Sequence, residues 1–520
     1  MGLIEKEIED VERFNEIVTV MAEQGLGVFL DEIDLTHKVP LTKKFSRDKV
    51  PPPERLRETF ERLGPTFIKF GQIMAERPDI VPQKYVDELE KLQDDVPGFE
   101  SEKAKQIVEE EIGLDSFESF EDEHLAAASI AQVHQATLES GEEVVVKIRR
   151  PGIKEQISRD LEILEFVAKR GVKRSSYLSD VQFLSAVKEF SRWTRQELNL
   201  KREARNGELL ADNLSDEENV KIPEIHTELT TEKVLVMEYI DGVKSSDTEA
   251  LERIGVDSEE LAETVVRASL KEILRDGFFH ADPHPSNFLI QDDGKMVMLD
   301  YGMMGKLTQD TRKDLSLLIL HALREDVDKA FEDLKRIGHV QDDADLEPLK
   351  AELEDKILLI QNSSLEEVSF TRQFLDITIQ ASRHGVIMPQ SLVLMGKSLV
   401  TMEGIGLSVC PDYEINEEFR STIKDILKDD FKPEKIMEEL SLDLVENRDL
   451  ITELPSKINK MTETGDSEVN VEVEQSGENN TLIAGLVISS AFLMTQGQRS
   501  LVGIGVAELL LAAYLFHYRS

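Results

Sequence analysis

The sequence predicts an α+β fold of two lobes, a small lobe rich in short strands and a large lobe made mostly of helices. Two apolar runs, 130–138 and 144–148, flank a polar turn at 139–142, as in a β-hairpin. Helical periodicity fills 153–212 and, after a second group of short strands, returns over 305–455. A ligand is expected to lie between the two lobes.

The chain divides by pattern into five segments. They are 1–115, a helical extension; 116–240, the small lobe with a helical insert; 241–455, the helical large lobe; 456–480, an acidic linker; and 481–516, a hydrophobic helical hairpin. The extension has amphipathic spacing in 10–32 and 54–94, separated by three consecutive prolines. Many carboxylates and no aromatic residue in 461–480 are typical of an unstructured linker.

Composition excludes some classes of protein. The net charge is −43, from 104 acidic and 61 basic residues, which disfavours nucleic-acid binding. Cys410 is the single cysteine, so no intramolecular disulfide can form, and no secretory signal opens the sequence. A reducing cytosolic setting is therefore predicted.

The stretch HADPHPSNFLIQDDGKMVMLDYG, residues 280–302, carries the clearest chemistry. Its two prolines predict a loop, and the Asp-Asp-Gly at 292–294 predicts a tight turn between two short strands. Asp282 and Asn287 then leave the loop, while Asp300 leaves the strand that folds back beside it. Oxygen ligands at one strand edge suit Mg²⁺, which proteins hold with one or two carboxylates plus substrate phosphates. The spacing of these three residues is that of a kinase catalytic loop and metal-binding aspartate.

Other residues suit a nucleotide clamp. Lys147 ends the strand EEVVVKIRR, where kinases place the lysine that holds the α- and β-phosphates. Ala126-Ala127-Ala128-Ser129 stands where a kinase has its Gly-rich loop, and alanine makes the loop stiffer. Met237, in the strand-like run 233–240, is expected to line the ATP pocket. Taken alone, the lysine could be a solvated side chain and the alanines a small-residue strand start.

With these motifs in this order, the chain resembles the UbiB-type atypical kinase family, kinase-like ATPases linked to coenzyme Q biosynthesis. The matching stretches are KFGQ (69–72), AAASIAQVH (126–134), VVVK (144–147), ELNLKREA (197–204), HADPHPSN (280–287) and DYG (300–302). The resemblance implies a protein-kinase-like fold that binds ATP and Mg²⁺.

The resemblance also implies roles for single residues in the catalytic centre. Asp282 would be the catalytic-loop aspartate, and Asn287 and Asp300 would be the metal ligands. Glu203 would be the helix glutamate that pairs with Lys147.

By the same resemblance, Lys69 and Gln72 lie on the helical extension, which folds over the active site, and Glu197 is the partner of that extension. Without the resemblance, the sequence around Lys69 and Gln72 is also typical of an amphipathic helix with a solvated face. The chain departs from the family at Asn199, where the E-x-D pattern has its second carboxylate. That departure leaves open how the extension is tethered.

The residues themselves disfavour a protein kinase. Ala281 replaces the arginine that would read an activation-loop phosphate. A helical pattern resumes by about Gln309 and no A-P-E motif follows, so little chain remains to hold a peptide.

Two apolar runs, 481–495 and 501–516, close the sequence. Each is shorter than the roughly 20 residues that cross a bilayer, so a buried hairpin is one interpretation. A membrane hairpin is favoured because both runs are apolar on all faces and follow a linker. In addition, Gly485 and Ser489 have the small-xxx-small spacing that lets membrane helices pack closely. Glu508 then indicates a bundle interior or a contact in a homo-oligomer.

The leading hypothesis is a membrane-anchored, Mg²⁺-dependent ATPase or small-molecule or lipid kinase with its catalytic lobes in the cytoplasm. By resemblance it would serve isoprenoid-quinone or related lipid metabolism, acting on an isoprenoid lipid or on proteins that make one. Two alternatives stay open: a phosphotransferase similar to aminoglycoside kinases, and a scaffold that binds nucleotide without turnover.

Overall fold

The computed structural model describes residues 10–26, 30, 52–75, 77, 81–92, 97–174, 183–362 and 369–430. The chain divides into two units, Met1–Lys432 and Pro433–Ser520, and every described residue belongs to the first. The helices are α1 (Val11–Glu23), α2 (Pro53–Leu63), α3 (Pro65–Ala75), α4 (Gln83–Leu89), α5 (Ser101–Glu111), α6 (Ile153–Val172), α7 (Phe183–Glu197), α8 (Leu200–Asn213), α9 (Thr248–Ile254), α10 (Ser258–Leu270), α11 (Gln309–Leu323), α12 (Val327–Ile337), α13 (Leu346–Asn362), α14 (Phe370–Arg383), α15 (Gln390–Val409) and α16 (Ile415–Asp430). The strands are β1 (Phe117–Ala127), β2 (Ala131–Leu138), β3 (Glu143–Arg149), β4 (Val220–Lys221), β5 (Val234–Glu238), β6 (Val243–Lys244), β7 (Phe278–His280), β8 (Phe288–Ile290), β9 (Met296–Met298), β10 (Met304–Lys306), β11 (His339–Val340) and β12 (Val386–Ile387).

The small lobe is built on an antiparallel sheet in the order β1-β2-β3-β5. Strand β3 lies in the middle because its run of β-branched residues buries both faces, and Lys147 is paired with Val133 on one side and Leu235 on the other. Helix α5 packs on one face of this sheet. The lysine is therefore held on a strand that has neighbours on both edges.

The N-terminal helices pack on the helical insert of the small lobe through aromatic side chains. Phe14 of α1 meets Phe166 of α6 edge-on at 5.9 Å between ring centroids, and Phe70 of α3 lies 5.0 Å from Phe190 of α7. Within the extension, Gly71 lets α3 approach its neighbours closely, because a Cβ there would lie 2.3 Å from Leu92 Cδ1 and 2.7 Å from Phe60 Cδ2. The glycine of KFGQ thus has a packing role.

The large lobe surrounds one apolar core formed by α10–α16. A short sheet in the order β4-β9-β8-β6 and the pair β7-β10 carry the 280–302 motif, and buried side chains of both β8 and β9 belong to a second apolar cluster. A π-helical turn, Lys271–Asp276, ends α10 and leads into β7. Helices and short strands thus combine in a kinase-like fold, which confirms the predicted class.

The structure corrects details of the predicted elements. Strand β1 extends to Ala127, so the expected 126–129 loop begins inside a strand and the turn is shorter than predicted. The strand-like run 220–226 is reduced to the two residues of β4. The short strands β7, β10, β11 and β12 were not anticipated, because two- or three-residue strands carry no periodic signal.

The predicted membrane hairpin, 481–516, lies outside the described residues. Among the residues that are described, one helix, α15, is long and apolar enough to cross a bilayer, and 61% of its most apolar window is buried in the protein. Its side chains belong to the core of the large lobe. A core helix of a soluble protein has the same properties, so α15 is weak support for a membrane span.

Candidate active site

The side chain of Lys147 lies between two carboxylates from different parts of the chain. Its Nζ is 2.6 Å from Glu203 Oε1 on α8 and 3.1 Å from Asp300 Oδ2, which follows β9. Glu203 is 2% exposed and Asp300 is 37% exposed, so the cluster opens to solvent on the aspartate side. A charged ligand that reaches the lysine must enter past Asp300.

Burial and charge set the protonation of this cluster. Burial alone would lower the pKa of Lys147, but attraction to Asp300 and Glu203 outweighs it and keeps the lysine charged. Burial raises the pKa of Glu203 to about 7, although Lys147 opposes the rise. For Asp300 the effect of burial is overcome by Lys147 and by the Gly302 amide, which donates to Oδ1 at 2.8 Å, so the pKa lies well below its usual range. The site therefore presents a lysine cation beside an ionised aspartate.

Helix α8 carries Glu203 and is positioned by its N-cap. Asn199 occupies the cap, and its side chain accepts a hydrogen bond from the Arg202 amide at 3.3 Å. Asparagine and aspartate cap helices about equally well. The departure from the E-x-D pattern therefore leaves the start of α8 intact, and the side chain of Asn199 serves the helix.

The 280–287 loop begins with a buried histidine. His280 is 4% exposed; its Nδ1 accepts the Asp282 amide at 3.2 Å, and its carbonyl accepts the Ser398 hydroxyl at 2.7 Å. Burial lowers the pKa of His280, opposed by the charges of Asp300 and Asp282, so the ring is neutral at pH 7. Both aspartates thus lie within electrostatic reach of this ring. His280 belongs to the motif, but sequence reasoning gave it no role.

Asn287 lies beside Asp300 through the β8-β9 ladder. Its carbonyl accepts the Leu299 amide at 3.0 Å, next to the aspartate in sequence. In the described part of the chain, no group of three or more His, Cys, Asp or Glu side chains forms a preformed metal site. Mg²⁺ usually keeps waters and phosphate oxygens and takes only one or two protein carboxylates. A single ionised carboxylate at Asp300, with Asn287 close by along the ladder, fits that preference.

The alanine loop joins β1 to β2 at the edge of the sheet. Ala127 pairs with Gln132, and the Ala128 amide closes the turn on the Ala131 carbonyl at 2.8 Å. Ala126 and Ala128 are exposed, whereas Ser129 is buried. Arg150, which sequence reasoning did not single out, donates to the Ala128 carbonyl at 3.1 Å and so supports the loop from the end of β3.

Met237 lies in β5, paired with Val145 in the neighbouring β3. Its side chain is 5% exposed and belongs to a cluster that includes Tyr301 and Phe288. It is therefore part of the apolar floor that joins the sheet of the small lobe to the 280–302 motif.

The extension reaches the site through α3. Lys69 forms an ion pair with Glu197 at the end of α7, and Gln72 donates to the Leu92 carbonyl at 3.3 Å. A Cβ on Gly302 would lie 3.5 Å from Glu197 Cγ and 4.0 Å from Glu203 Oε2. Both glutamates therefore converge on the glycine that follows Asp300. Burial raises the pKa of Glu197, and Lys69 opposes the rise.

A second contact of the extension was not predicted. Asp160 of α6 is 1% exposed and accepts hydrogen bonds from Arg13 Nε at 2.7 Å and from the Thr66 hydroxyl at 2.7 Å. It thus ties α1 and α3 to the small lobe. The sequence did hold a signal, because Asp160 lies on the apolar face of its helix, one turn after Ile157 and beside Leu161.

The DYG segment is fixed at both ends. Tyr301 is fully buried, and its hydroxyl donates to the Met298 carbonyl at 2.5 Å. Asn206 of α8 donates to the Tyr301 carbonyl at 2.9 Å, and Met304 pairs with His280 in the β7-β10 ladder. The segment that would carry an activation loop in a protein kinase thus returns to the core within two residues of Gly302.

Two family profiles match the sequence. One is described as the ABC1 atypical kinase-like domain and covers residues 91–334. The other is described as the UbiB helical domain and covers residues 357–414.

Individual proteins are similar over longer stretches. The Synechocystis protein sll1770 is 33% identical over 410 residues, which span 78% of this chain and 70% of that protein. The "Probable protein kinase UbiB" of Marinobacter nauticus is 33% identical over 403 residues, 76% of this chain and 74% of its own length. "Protein ACTIVITY OF BC1 COMPLEX KINASE 8, chloroplastic" of Arabidopsis thaliana is 42% identical over 298 residues, 56% of this chain and 39% of its own length. Other relatives are also longer: the matched region spans 65% and 57% of two further Synechocystis proteins.

Proposed function

The chain belongs to the ABC1/UbiB family of atypical kinase-like proteins, and from that premise we propose that it is a membrane-anchored, Mg²⁺-dependent enzyme that transfers the terminal phosphoryl group of ATP to a small molecule or lipid, or to water. The observation that carries the proposal is the contact of Lys147 with both Glu203 and Asp300. In kinases, a lysine on this strand holds the α- and β-phosphates while a helix glutamate orients it.

The roles of the residues follow from their charges and positions. Lys147 would bind the α- and β-phosphates and keep Glu203 as its partner, while the ionised Asp300 and the side-chain amide of Asn287 would hold Mg²⁺. The metal, when bound, offsets the negative charge of the phosphates. Asp282, on the loop anchored by His280, orients the attacking hydroxyl group or water.

A peptide acceptor is disfavoured by two features. The chain returns to the core at Met304, so no long activation segment follows Gly302. In addition, the ion pair of Lys69 with Glu197 brings α3 close to that glycine, on the side where both glutamates converge. A compact acceptor fits this surrounding better than an extended polypeptide.

Membrane anchoring is part of the proposal and rests on the apolar runs in 481–516. An anchored enzyme would meet a lipid acceptor, such as an isoprenoid quinone precursor, at the bilayer surface. The full chain should need detergent for extraction, whereas residues 1–460 should remain in solution after cell lysis. Release of the full chain by alkaline carbonate would contradict the anchor.

The test of the site is Mg²⁺-dependent ATP binding to the full chain in detergent, measured by calorimetry. Asp300→Asn keeps the shape but removes the charge, and Lys147→Ala removes the clamp; each should weaken binding at least about tenfold, as expected for charge-assisted contacts. Asp293→Asn is the matched control, since it removes a carboxylate from the tip of the same β8-β9 hairpin and should leave affinity unchanged. Parent-like affinity in Asp300→Asn would contradict the assignment.

Release of inorganic phosphate from ATP, measured with and without lipid vesicles, distinguishes a lipid-directed enzyme from a scaffold that only binds nucleotide. Turnover that lipid stimulates supports a lipid-directed enzyme. Tight binding with no turnover in any condition would instead indicate a nucleotide-binding scaffold.

A further inference from the structure

A cavity of about 430 Å³ lies on the small lobe, between α5, the end of β3 and the start of α6. Five cationic side chains and two carboxylates line it. They are Lys103, Arg149, Arg150, Lys154 and Lys233, with Glu110 and Glu155. No residue of the Lys147 cluster or of the alanine loop is among those that line it, so the cavity is separate from the nucleotide site.

The residues that line this cavity are richer in cations than the protein as a whole. The chain as a whole carries a net charge of −43, yet cations outnumber carboxylates on the walls of this cavity. Clustered like charges repel one another, and low-dielectric walls strengthen their field inside a cavity. Such a lining attracts anions, although its three lysines also interact with the carboxylates of Glu100, Glu111 and Glu232.

Arg149 gives the cavity a buried positive charge held by backbone carbonyls. The residue is 8% exposed, and its guanidinium donates to the carbonyls of Leu198 at 2.6 Å and Glu232 at 3.2 Å. Among the described residues, no carboxylate oxygen lies within 4.0 Å of it. Burial lowers the pKa of Arg149, and the more distant carboxylates of Glu232, Glu155 and Glu111 oppose the shift only in part. An anion in the cavity would bring a negative charge closer to the guanidinium.

The three lysines already have carboxylate neighbours; the pairs of Lys103 and Lys154 are open to solvent, whereas Glu111, the partner of Lys233, is only 20% exposed. Lys103 lies 2.8 Å from Glu100, Lys154 3.7 Å from Glu232, and Lys233 2.7 Å from Glu111. Surface pairs of this kind are weak and rearrange easily. Lys103 and Lys154 can therefore turn toward a ligand without a large loss.

The first turn of α6 adds backbone donors to the same wall. Its N-cap is Gly152, with φ of +72°, so no side chain caps this 20-residue helix. Pro151, Gly152 and Lys154 all line the cavity. The N-terminal end of a helix favours anions through its dipole and its unpaired amides.

We infer that this cavity is a second anion site, which takes a phosphate-bearing ligand while the nucleotide cleft is independently occupied. The ligand is either a soluble phosphorylated molecule or the phosphate headgroup of an anionic lipid. The inference does not depend on the proposed ATP chemistry, because it uses none of the residues in that site.

Arg150 gives the site a route to the alanine loop. Its guanidinium donates to the carbonyls of Pro97 at 2.9 Å and Ala128 at 3.1 Å, and it lies over the ring of Phe99. The same side chain lines the cavity. A bound phosphate that draws Arg150 inward would weaken its hold on Ala128 and so alter the loop.

The test is calorimetric titration of inorganic pyrophosphate into the full chain in detergent, without Mg²⁺. The double variant Lys154→Gln/Lys233→Gln should weaken binding about tenfold or more, because it removes two charged contacts. Lys350→Gln removes a surface lysine that is likewise paired with a carboxylate, Asp328, and should bind as the parent does. Lys147→Ala distinguishes the two sites, since it perturbs the nucleotide cleft and leaves the cavity intact.

Binding of pyrophosphate and of vesicles by these variants decides the inference. Pyrophosphate binding that persists in Lys147→Ala and is lost in the double variant supports a soluble phosphate ligand. If pyrophosphate does not bind, stronger association with phosphatidylglycerol than with phosphatidylcholine vesicles, lost in the double variant, supports a headgroup. Binding lost in Lys147→Ala and retained in the double variant overturns the inference, as does failure of both probes.

Discussion

Replacement of Asp160 by asparagine is predicted to loosen the N-terminal helices from the small lobe while the lobe itself stays folded. The carboxylate is buried and accepts three hydrogen bonds: two from Arg13, at 2.7 and 3.2 Å, and one from the Thr66 hydroxyl at 2.7 Å. Asparagine has nearly the same volume but loses the charge, and its amide group presents a donor where the arginine also donates.

The size of the effect follows from these contacts. Breaking a buried ion pair by neutralising one partner destabilises a protein by about 3–5 kcal/mol. The substituted asparagine would keep one acceptor oxygen, and Arg13 retains its bonds to the Leu63 carbonyl and to Glu16. We therefore expect about 3 kcal/mol, which corresponds to an increase of about 100-fold in the population of the detached state.

Hydrogen exchange of the backbone amides in α1 and α3 measures that population. Exchange in these two helices should accelerate about 100-fold in Asp160→Asn, and exchange in β2 and β3 should not change. Glu16→Gln is the matched control, because Glu16 is the exposed carboxylate partner of the same arginine, with 55% of its side chain in solvent. It should change exchange about twofold or less. Equal effects of the two variants would refute the assignment of the tether to the buried pair.

Two further predictions concern charge and loop stiffness. Burial raises the pKa of Glu272 from 4.5 to about 8, so its contribution to stability is full below about pH 4.5 and is lost as the pH rises toward 8. The melting temperature of Glu272→Gln should therefore rise progressively above that of the parent between pH 5 and pH 8. At pH 8 the corresponding difference in unfolding free energy is on the order of a few kcal/mol. A difference in melting temperature that stays constant with pH would contradict this. Ala127→Gly should shift ATP and ADP affinity about two- to fivefold without lowering the melting temperature of the lobe, because glycine adds about 0.5–1 kcal/mol of backbone entropy to the loop. Unchanged affinity for both nucleotides would show that the loop lies away from the phosphates.

Elements with local signals were predicted from the sequence. The β8-β9 hairpin was found because Gly294, with φ of +85°, closes a turn that only its immediate neighbours determine. Strand β1 was harder to find. Its exposed carboxylates at Glu118, Glu121 and Glu123 suppress the strand pattern, and the strand forms because it pairs with β2.

Contacts between distant residues could be predicted only in part. Family resemblance supplied the pairing of Lys147 with Glu203, which are 56 residues apart, but periodicity alone could not do so. The contact of Arg13 with Asp160 spans 147 residues. Helical patterning places Asp160 on a buried face without naming its partner, because the partner is determined by how α1 and α6 pack.

The fixed DYG segment has a consequence for inhibitor design. In protein kinases, the packing of the aromatic residue after the metal-binding aspartate sets the active or inactive state, and an inhibitor could require these two side chains to exchange places. Here that exchange would expose a fully buried Tyr301, break its bonds to Met298 and Asn206, and separate β7 from β10. Compounds that require Asp300 and Tyr301 to exchange places should therefore bind this protein poorly. Selective chemical probes are better sought among ligands shaped to the cleft as it stands, with the alanine loop as the feature that distinguishes it from ordinary kinases.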